Sequence, residues 1–184
     1  RSFLQAGAAT LATPQARPNI VLAVSDDQSW MHAGAMGDRY VRTPAFDRVA
    51  REGVLFTHAF CASPSCAPSR AAMLTGQEVW RLEQGAHMRA HLPRRFAVYP
   101  ELLEAAGYHV GFTGKGWGPG RLQNSASYAI PPGDERPRNP AGPVYDSFEA
   151  FLAARKPGAP FCFWYGSTYP HRPFRPDPDA AKGR

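Results

Sequence analysis

At 184 residues, 43% apolar and 20% charged, the chain has room for one domain with a real core, and this balance excludes a disordered polymer. The net charge of +6 is spread over scattered Lys and Arg residues without a run of five, so nucleic acid is not indicated as a partner, although such a field steers small anions. No stretch of 18 apolar residues exists to span a membrane. The three cysteines, Cys61, Cys66 and Cys162, lack zinc-type spacing and specify neither a disulfide framework nor a structural metal knot.

In chain order, Arg1-Ser2-Phe3-Leu4-Gln5 followed by small and apolar residues to Ala12 resembles a twin-arginine export signal entered at its second arginine. Residues 1–16 are therefore set apart as the remnant of a signal, which implies a periplasmic or extracellular protein, and 17–184 are read as the folded part. Asn19 to Val24 is a short, unbroken apolar run ending in Ser25-Asp26-Asp27 and is predicted to be a strand buried on both faces. Thr43 is placed as the cap of a helix with Pro44 in its first turn, Phe46, Val49 and Ala50 along one face, and Gly53 as its stop. Val54 to Phe60 is predicted to be a second strand.

A short helix is expected after Cys66, with Pro68 at its start and Thr75-Gly76 at its end. Pro100 to Ala106 reads as a helix stopped by Gly107 and followed by a strand from Tyr108 to Thr113. Tyr145 to Arg155 reads as a helix with Phe148, Phe151 and Leu152 inward, and Phe161 to Tyr165 as a fourth strand. Residues 82–97 and 116–142 are Gly-, Pro- and Arg-rich loops. Alternating strands and helices imply an α/β sandwich on a largely parallel sheet, where ligands sit beyond the carboxyl ends of the strands. Asp26 and Asp27, Cys66, Lys115 and His171 all follow predicted strands, so two carboxylates, a thiol, an ammonium and an imidazole are expected to converge.

Cys66-Ala67-Pro68-Ser69-Arg70 followed by Ala71-Ala72-Met73-Leu74-Thr75-Gly76 carries the most information. On a helix beginning here, Arg70 shares a face with Cys66, and the helix N-terminus favours an anionic nucleophile and an anionic substrate. This segment is similar to the sulfatase signature Cys-x-Pro-Ser-Arg-x-x-x-Leu-Thr-Gly at every fixed position. The resemblance runs from about Asn19 to Phe174 and implies an alkaline-phosphatase-like three-layer sandwich. It also implies oxidation of Cys66 to formylglycine by a formylglycine-generating enzyme. Asp26-Asp27-Gln28 resembles the paired aspartates that hold a divalent cation, Ca2+ or Mg2+, with Cys66 completing the visible ligands, and hard cations do take carboxylate oxygens.

Gly114-Lys115-Gly116-Trp117 resembles the segment whose lysine contacts the sulfate, and Tyr169-Pro170-His171-Arg172-Pro173-Phe174 resembles the Pro-His-x-Pro segment whose histidine contacts the transferred group. The sequence departs from the commoner pattern at Trp117, where a histidine stands two residues after the lysine as a leaving-group acid. That points to a subfamily with a different substrate geometry. His32, His58, His87, His91 and His109 have no such motif and are read as core or surface residues, with His87 a distant candidate because it follows the nucleophile helix.

The implied reaction is hydrolysis of a sulfate ester or sulfamate, small or on a glycan. One hydroxyl of hydrated formylglycine attacks sulfur and the second expels sulfate, while Arg70, Lys115 and His171 offset charge on the sulfuryl oxygens. Arg70→Ala is accordingly expected to abolish turnover with little loss of folding. The family's later Asp-Asn or Asp-His ligands do not occur before Arg184, so the sequence reads as the N-terminal part of a longer catalytic domain. Two alternatives stay open, a phosphonate or phosphate monoester hydrolase of the same superfamily and a non-catalytic module binding sulfated glycans.

Overall fold

In the computed structural model, residues 17–174 are described, so the proposed export signal at 1–16 and the tail from Arg175 lie outside them. Three parallel strands form the sheet in the order β1 (Ile20–Val24), β3 (Phe161–Gly166), β2 (His109–Gly114), each edge strand pairing along its length with β3. Four helices accompany it: α1 (Pro44–Glu52), α2 (Cys66–Thr75), α3 (Tyr99–Ala105) and α4 (Phe148–Ala154).

Alternation along the central strand divides the interior into two layers. Phe161 and Phe163 of β3 meet Phe151 of α4, with Tyr145, Phe148 and Leu152 around them. Trp164 on the opposite face joins Ala71, Ala72 and Leu74 of α2, Leu82, Leu92, Val98, Phe112 and Trp117 in the larger core. The result is helix, parallel sheet, helix, the three layers expected from the sequence. Gly111 permits the α4 side to close, because a Cβ there would lie 2.5 Å from the Tyr145 ring.

Several local expectations change. Residues 54–60 form no strand. Val54, Phe56 and Phe60 are exposed, since apolar, strand-forming residues make a strand only where a neighbour offers its backbone. β1 is not buried on both faces. As an edge strand it packs Leu22 and Val24 onto the larger core and leaves Val21 and Ala23 exposed. On α1 the predicted apolar face is formed, but Phe46 and Val49 remain exposed.

The Thr43 hydroxyl does not cap its own helix. It accepts from Gly34 N at 2.8 Å and donates to Asp47 Oδ1 at 2.9 Å, tying the preceding turn to α1. The helix predicted from Tyr145 begins at Phe148, where Ser147 Oγ accepts from Ala150 N at 3.1 Å. Tyr145 is instead drawn to β2, its amide donating to Phe112 O at 2.8 Å.

Residues 82–97 contribute to the core. Leu82, Ala90, His91 and Leu92 are buried there, and Arg136 fastens the segment by donating to Leu92 O (3.0 Å), Pro93 O (3.1 Å) and Phe96 O (2.5 Å). Burial lowers the pKa of that guanidinium, against the opposing charge of Glu101. No helix among the described residues is long and apolar enough to cross a membrane.

Candidate active site

The ends of β1, β2 and β3 and the first turn of α2 meet at one place. β1 runs into Asp26, whose amide donates to Tyr169 O at 2.9 Å, locking the turn after β1 to the turn after β3. The Asp26 carboxylate is 4% exposed and Asp27, at φ 59, points to the outside. Such a backbone conformation is uncommon for a residue other than glycine, and Asp is among those that tolerate it.

Cys66 is the first residue of α2. Pro68, two residues further on, falls in the first turn, where its missing N–H would have lacked a helical partner, and Gly76 ends the helix in the left-handed conformation at φ 65. The thiol lies 3.8 Å from Asp26 Oδ1 and 3.1 Å from Lys115 Nζ. Lys115 Nζ also donates to Asp26 Oδ2, so one ammonium serves both the carboxylate and the sulfur. Cys66 reaches the site from a helix N-terminus and an irregular approach, not from the end of a strand as its sequence position indicated.

Arg70 is 3% exposed. Its Nη1 donates to Lys115 O at 2.5 Å and Gly116 O at 2.8 Å, its Nη2 stands 3.5 Å from Asp26 Oδ1, and its guanidinium lies over the Trp164 ring at 5.6 Å. It therefore shapes the loop that carries Lys115 as much as it adds charge. Those contacts argue against an arginine removable with little loss of folding, because Lys115 O, Gly116 O and the buried Asp26 carboxylate would each lose a donor.

Lys115 is further placed by its amide, which donates to Gly166 O at 2.7 Å. Neither glycine at this crossing admits a side chain. A Cβ on Gly114 would fall 2.2 Å from Gly166 O, and one on Gly166 would fall 2.0 Å from Lys115 O.

His171 is half-buried, with Nε2 at 3.6 Å from Asp27 Oδ2 and Nδ1 at 2.5 Å from Arg172 O. Asp26, Cys66 and His171 each bring one ligand atom within 4.8 Å of the others. A cavity of about 500 Å³ opens over this centre, lined by Asp26, Asp27, Cys66, Ser69, Arg70 and Met73 among others. All six sequence-derived residues, Asp26, Asp27, Cys66, Arg70, Lys115 and His171, thus share one neighbourhood.

Trp117 does not face it. Its ring is buried in the core under α2, with Nε1 donating to Ala67 O at 3.2 Å, and it therefore supports the helix that begins at Cys66 from below. The other histidines are elsewhere: His32 pairs with Asp38, His109 contacts Phe151 O, His91 is buried beside Tyr128, and His58 and His87 are exposed. Trp164, Gly166 and Asn139, which accepts from Trp117 N at 3.2 Å, were not singled out from the sequence. The closing glycine of the Phe161–Gly166 run was the one available signal.

Comparison with known proteins gives a family model described as Sulfatase, matching residues 18–184. The chain belongs to the sulfatase family. It is 38% identical over 122 residues to N-acetylgalactosamine-6-sulfatase of Sus scrofa, covering 60% of this chain and 23% of that protein. It is 35% identical over 170 residues to an ulvan-active sulfatase of Formosa agariphila, covering 84% of this chain and 30% of the relative. The chain therefore spans well under half the length of the curated relatives it matches. A structure solved in complex with its substrate D-glucosamine-2-N,6-O-disulfate superposes with a TM-score of 0.63 at 24% identity, over 88% of this chain and 36% of the other, and establishes the shared fold.

Proposed function

We propose that this sulfatase-family chain carries the nucleophile half of a hydrolase acting on sulfate monoesters of sugars, with sulfamates as the neighbouring class. The observation that carries the reading is the Cys66 sulfur at the N-terminus of α2, 3.1 Å from the Lys115 ammonium and 3.8 Å from the buried Asp26 carboxylate. The named relatives that act on N-acetylgalactosamine 6-sulfate and on ulvan support a sulfated glycan as substrate.

Conversion of Cys66 to formylglycine would supply a hydrated aldehyde, one hydroxyl of which attacks sulfur while the other releases sulfate. The donor set fits a hard divalent cation, Ca2+ first and Mg2+ second, held by Asp26 and Asp27. Asp27 Oδ2 faces a ring nitrogen of His171 at 3.6 Å, and the Asp26 and Asp27 carboxylates supply the oxygen donors that such an ion takes. Such a cation would supply charge stabilisation for the entering oxygen.

The remaining work falls to this chain's own groups. Lys115 sets a positive charge where the nonbridging oxygens of a bound sulfate come to rest, and the positive end of the α2 dipole adds to it. Arg70 holds the carbonyls of Lys115 and Gly116, keeping that ammonium aimed. His171, half-buried at the rim, is placed to hold or give a proton on the leaving-oxygen side. With the position two residues after Lys115 turned into the core as Trp117, His171 is the proton donor the described residues offer.

Export through residues 1–16 and maturation by a formylglycine-generating enzyme complete the proposal. Peptide mass spectrometry across Cys66 in the protein from its native host, with parallel turnover of aryl sulfate and aryl phosphate, tests it. Loss of sulfur at Cys66 with preference for the sulfate ester is the expected result. An unmodified thiol in active protein overturns the nucleophile assignment, and preference for phosphate moves the substrate class.

A further inference from the structure

The unconverted thiol gives the same residues a second chemistry. His171 Nδ1 lies 2.5 Å from Arg172 O, and a carbonyl oxygen only accepts, so Nδ1 carries a proton and Nε2 is the nitrogen left to offer a lone pair to a metal. Nε2 stands 3.6 Å from Asp27 Oδ2. Cys66, Asp26 and His171 meanwhile offer three ligand atoms within 4.8 Å of one another.

Tetrahedral zinc, with bonds of about 2.0–2.3 Å, separates its donors by roughly 3.3–3.8 Å. The Cys66 Sγ to Asp26 Oδ1 distance of 3.8 Å already meets this, and the 4.8 Å bound on the three ligand atoms leaves about an ångström to close at most. Thiolate, imidazole and carboxylate together form a borderline-soft donor set that selects zinc over calcium or magnesium, which take oxygen alone. The contact from Nδ1–H to a backbone carbonyl is the outer partner a zinc-bound histidine ordinarily has.

We infer that, before conversion of Cys66, the protein binds one zinc ion through Cys66 Sγ, His171 Nε2 and an oxygen of Asp26, with the fourth position open to water or Asp27. Binding displaces the thiol proton to solvent. Lys115 stays on Asp26 Oδ2 and donates to the sulfur, and the metal takes Oδ1, where it replaces the long 3.5 Å contact from Arg70 Nη2. Zinc thereby caps the sulfur, and removal of that sulfur on conversion to formylglycine returns the site to oxygen donors. This inference requires the thiol and not the hydrolase activity.

The test uses full-length protein made without the maturing enzyme, with the thiol at Cys66 verified by peptide mass. Co2+ serves as the spectroscopic probe and Zn2+ is titrated against a chromophoric chelator. One Co2+ per chain with a thiolate-to-metal charge-transfer band, erased by one equivalent of Zn2+, is expected. Cys66→Ser should abolish the band and Cys61→Ser, in the same cavity, should leave it. His171→Ala should weaken zinc by at least about ten-fold, the low end of what even an outer-shell partner contributes.

Metal-free melting curves of all three variants, matching the parent, separate ligand loss from misfolding, and His171→Gln provides a second variant with the side-chain bulk retained. A missing band, a band that survives Cys66→Ser or vanishes in Cys61→Ser, or an unchanged zinc Kd in both His171 variants overturns the inference. No turnover enters these readouts, so failure here leaves the sulfate-ester reading standing, and failure to find formylglycine leaves the zinc site standing.

Discussion

Asp26 is the residue on which the centre turns, because a carboxylate 4% exposed is stable in its charged form only with its partners in place. Of its two cationic partners, Lys115 and Arg70, Lys115 is the nearer. Lys115→Met is expected to lower kcat/KM for an aryl sulfate by about 10²–10³-fold, the scale of losing one positioned donor. It should also lower stability by about 1–3 kcal/mol in urea unfolding, as a buried acceptor loses its donor. Unchanged kcat/KM would remove Lys115 from the site. For Arg70→Ala, a fall in both melting temperature and activity is expected, since its contacts are with carbonyls of the Lys115 loop. Burial pushes the Cys162 thiol up to about 11, whereas Cys61 is exposed. A thiol raised above its unfolded value of 9.0 contributes stability that is whole below about pH 9 and is lost as pH rises through 11. A thiol reagent applied to native protein at pH 8 should label Cys61 quickly and Cys162 only on unfolding. Equal rates would contradict the packing of β3.

At the scale of elements, the site depends on how closely the ends of β2 and β3 cross. The Lys115 amide reaches Gly166 O at 2.7 Å, and a Cβ on Gly166 would stand 2.0 Å from Lys115 O, a backbone atom that cannot swing aside. Gly166→Ala should therefore lower the melting temperature and weaken substrate handling by displacing Lys115. A crystal structure of the variant with Lys115 unmoved would refute that account. This crossing also marks the limit of what the sequence conveys. The turns after Val24, Thr113 and Tyr165 were legible as the places where Asp26, Lys115 and His171 meet, because apolar runs of strand length end there and parallel sheets gather ligands at that edge. The Cys66 helix was legible from its motif and from the Gly76 stop. The status of 54–60 was not, because β-propensity describes a residue's fitness for a sheet and not whether a neighbouring strand is present. Arg70's hold on two carbonyls and the burial of Trp117 were equally hidden, since spacing gives the face a side chain shares and not the partner at its tip. Packing at α4 was readable from period alone: Phe151 is fully buried between Phe161 and Phe163, and Phe151→Ala should cost about 3–5 kcal/mol by denaturant titration.

Over the whole molecule, stability is unevenly distributed between the parts that carry the site. β3 is paired on both sides and covered on both faces, α2 is packed against Trp164 and Leu82, and these elements should open only with global unfolding. The stretch between α1 and α2 is different. Phe56 and Phe60 are exposed at 75% and 89%, residues 54–60 have no strand partner, and α1 presents Phe46 and Val49 outward. Segments of that kind open at low free energy, so brief chymotrypsin treatment is expected to cut after Phe56 and Phe60 well before Phe112, Phe151, Phe161 or Phe163. The cut falls between the aspartates on one side and Cys66, Lys115 and His171 on the other. The two fragments should nonetheless stay associated through the β1–β3 ladder, where five residues of β1 from Ile20 to Val24 pair with β3. Native size-exclusion followed by mass spectrometry of the fragments reads both points. Early cleavage within β3, or separation of the fragments under native conditions, would mean that the central strand does not hold the two halves of the site together.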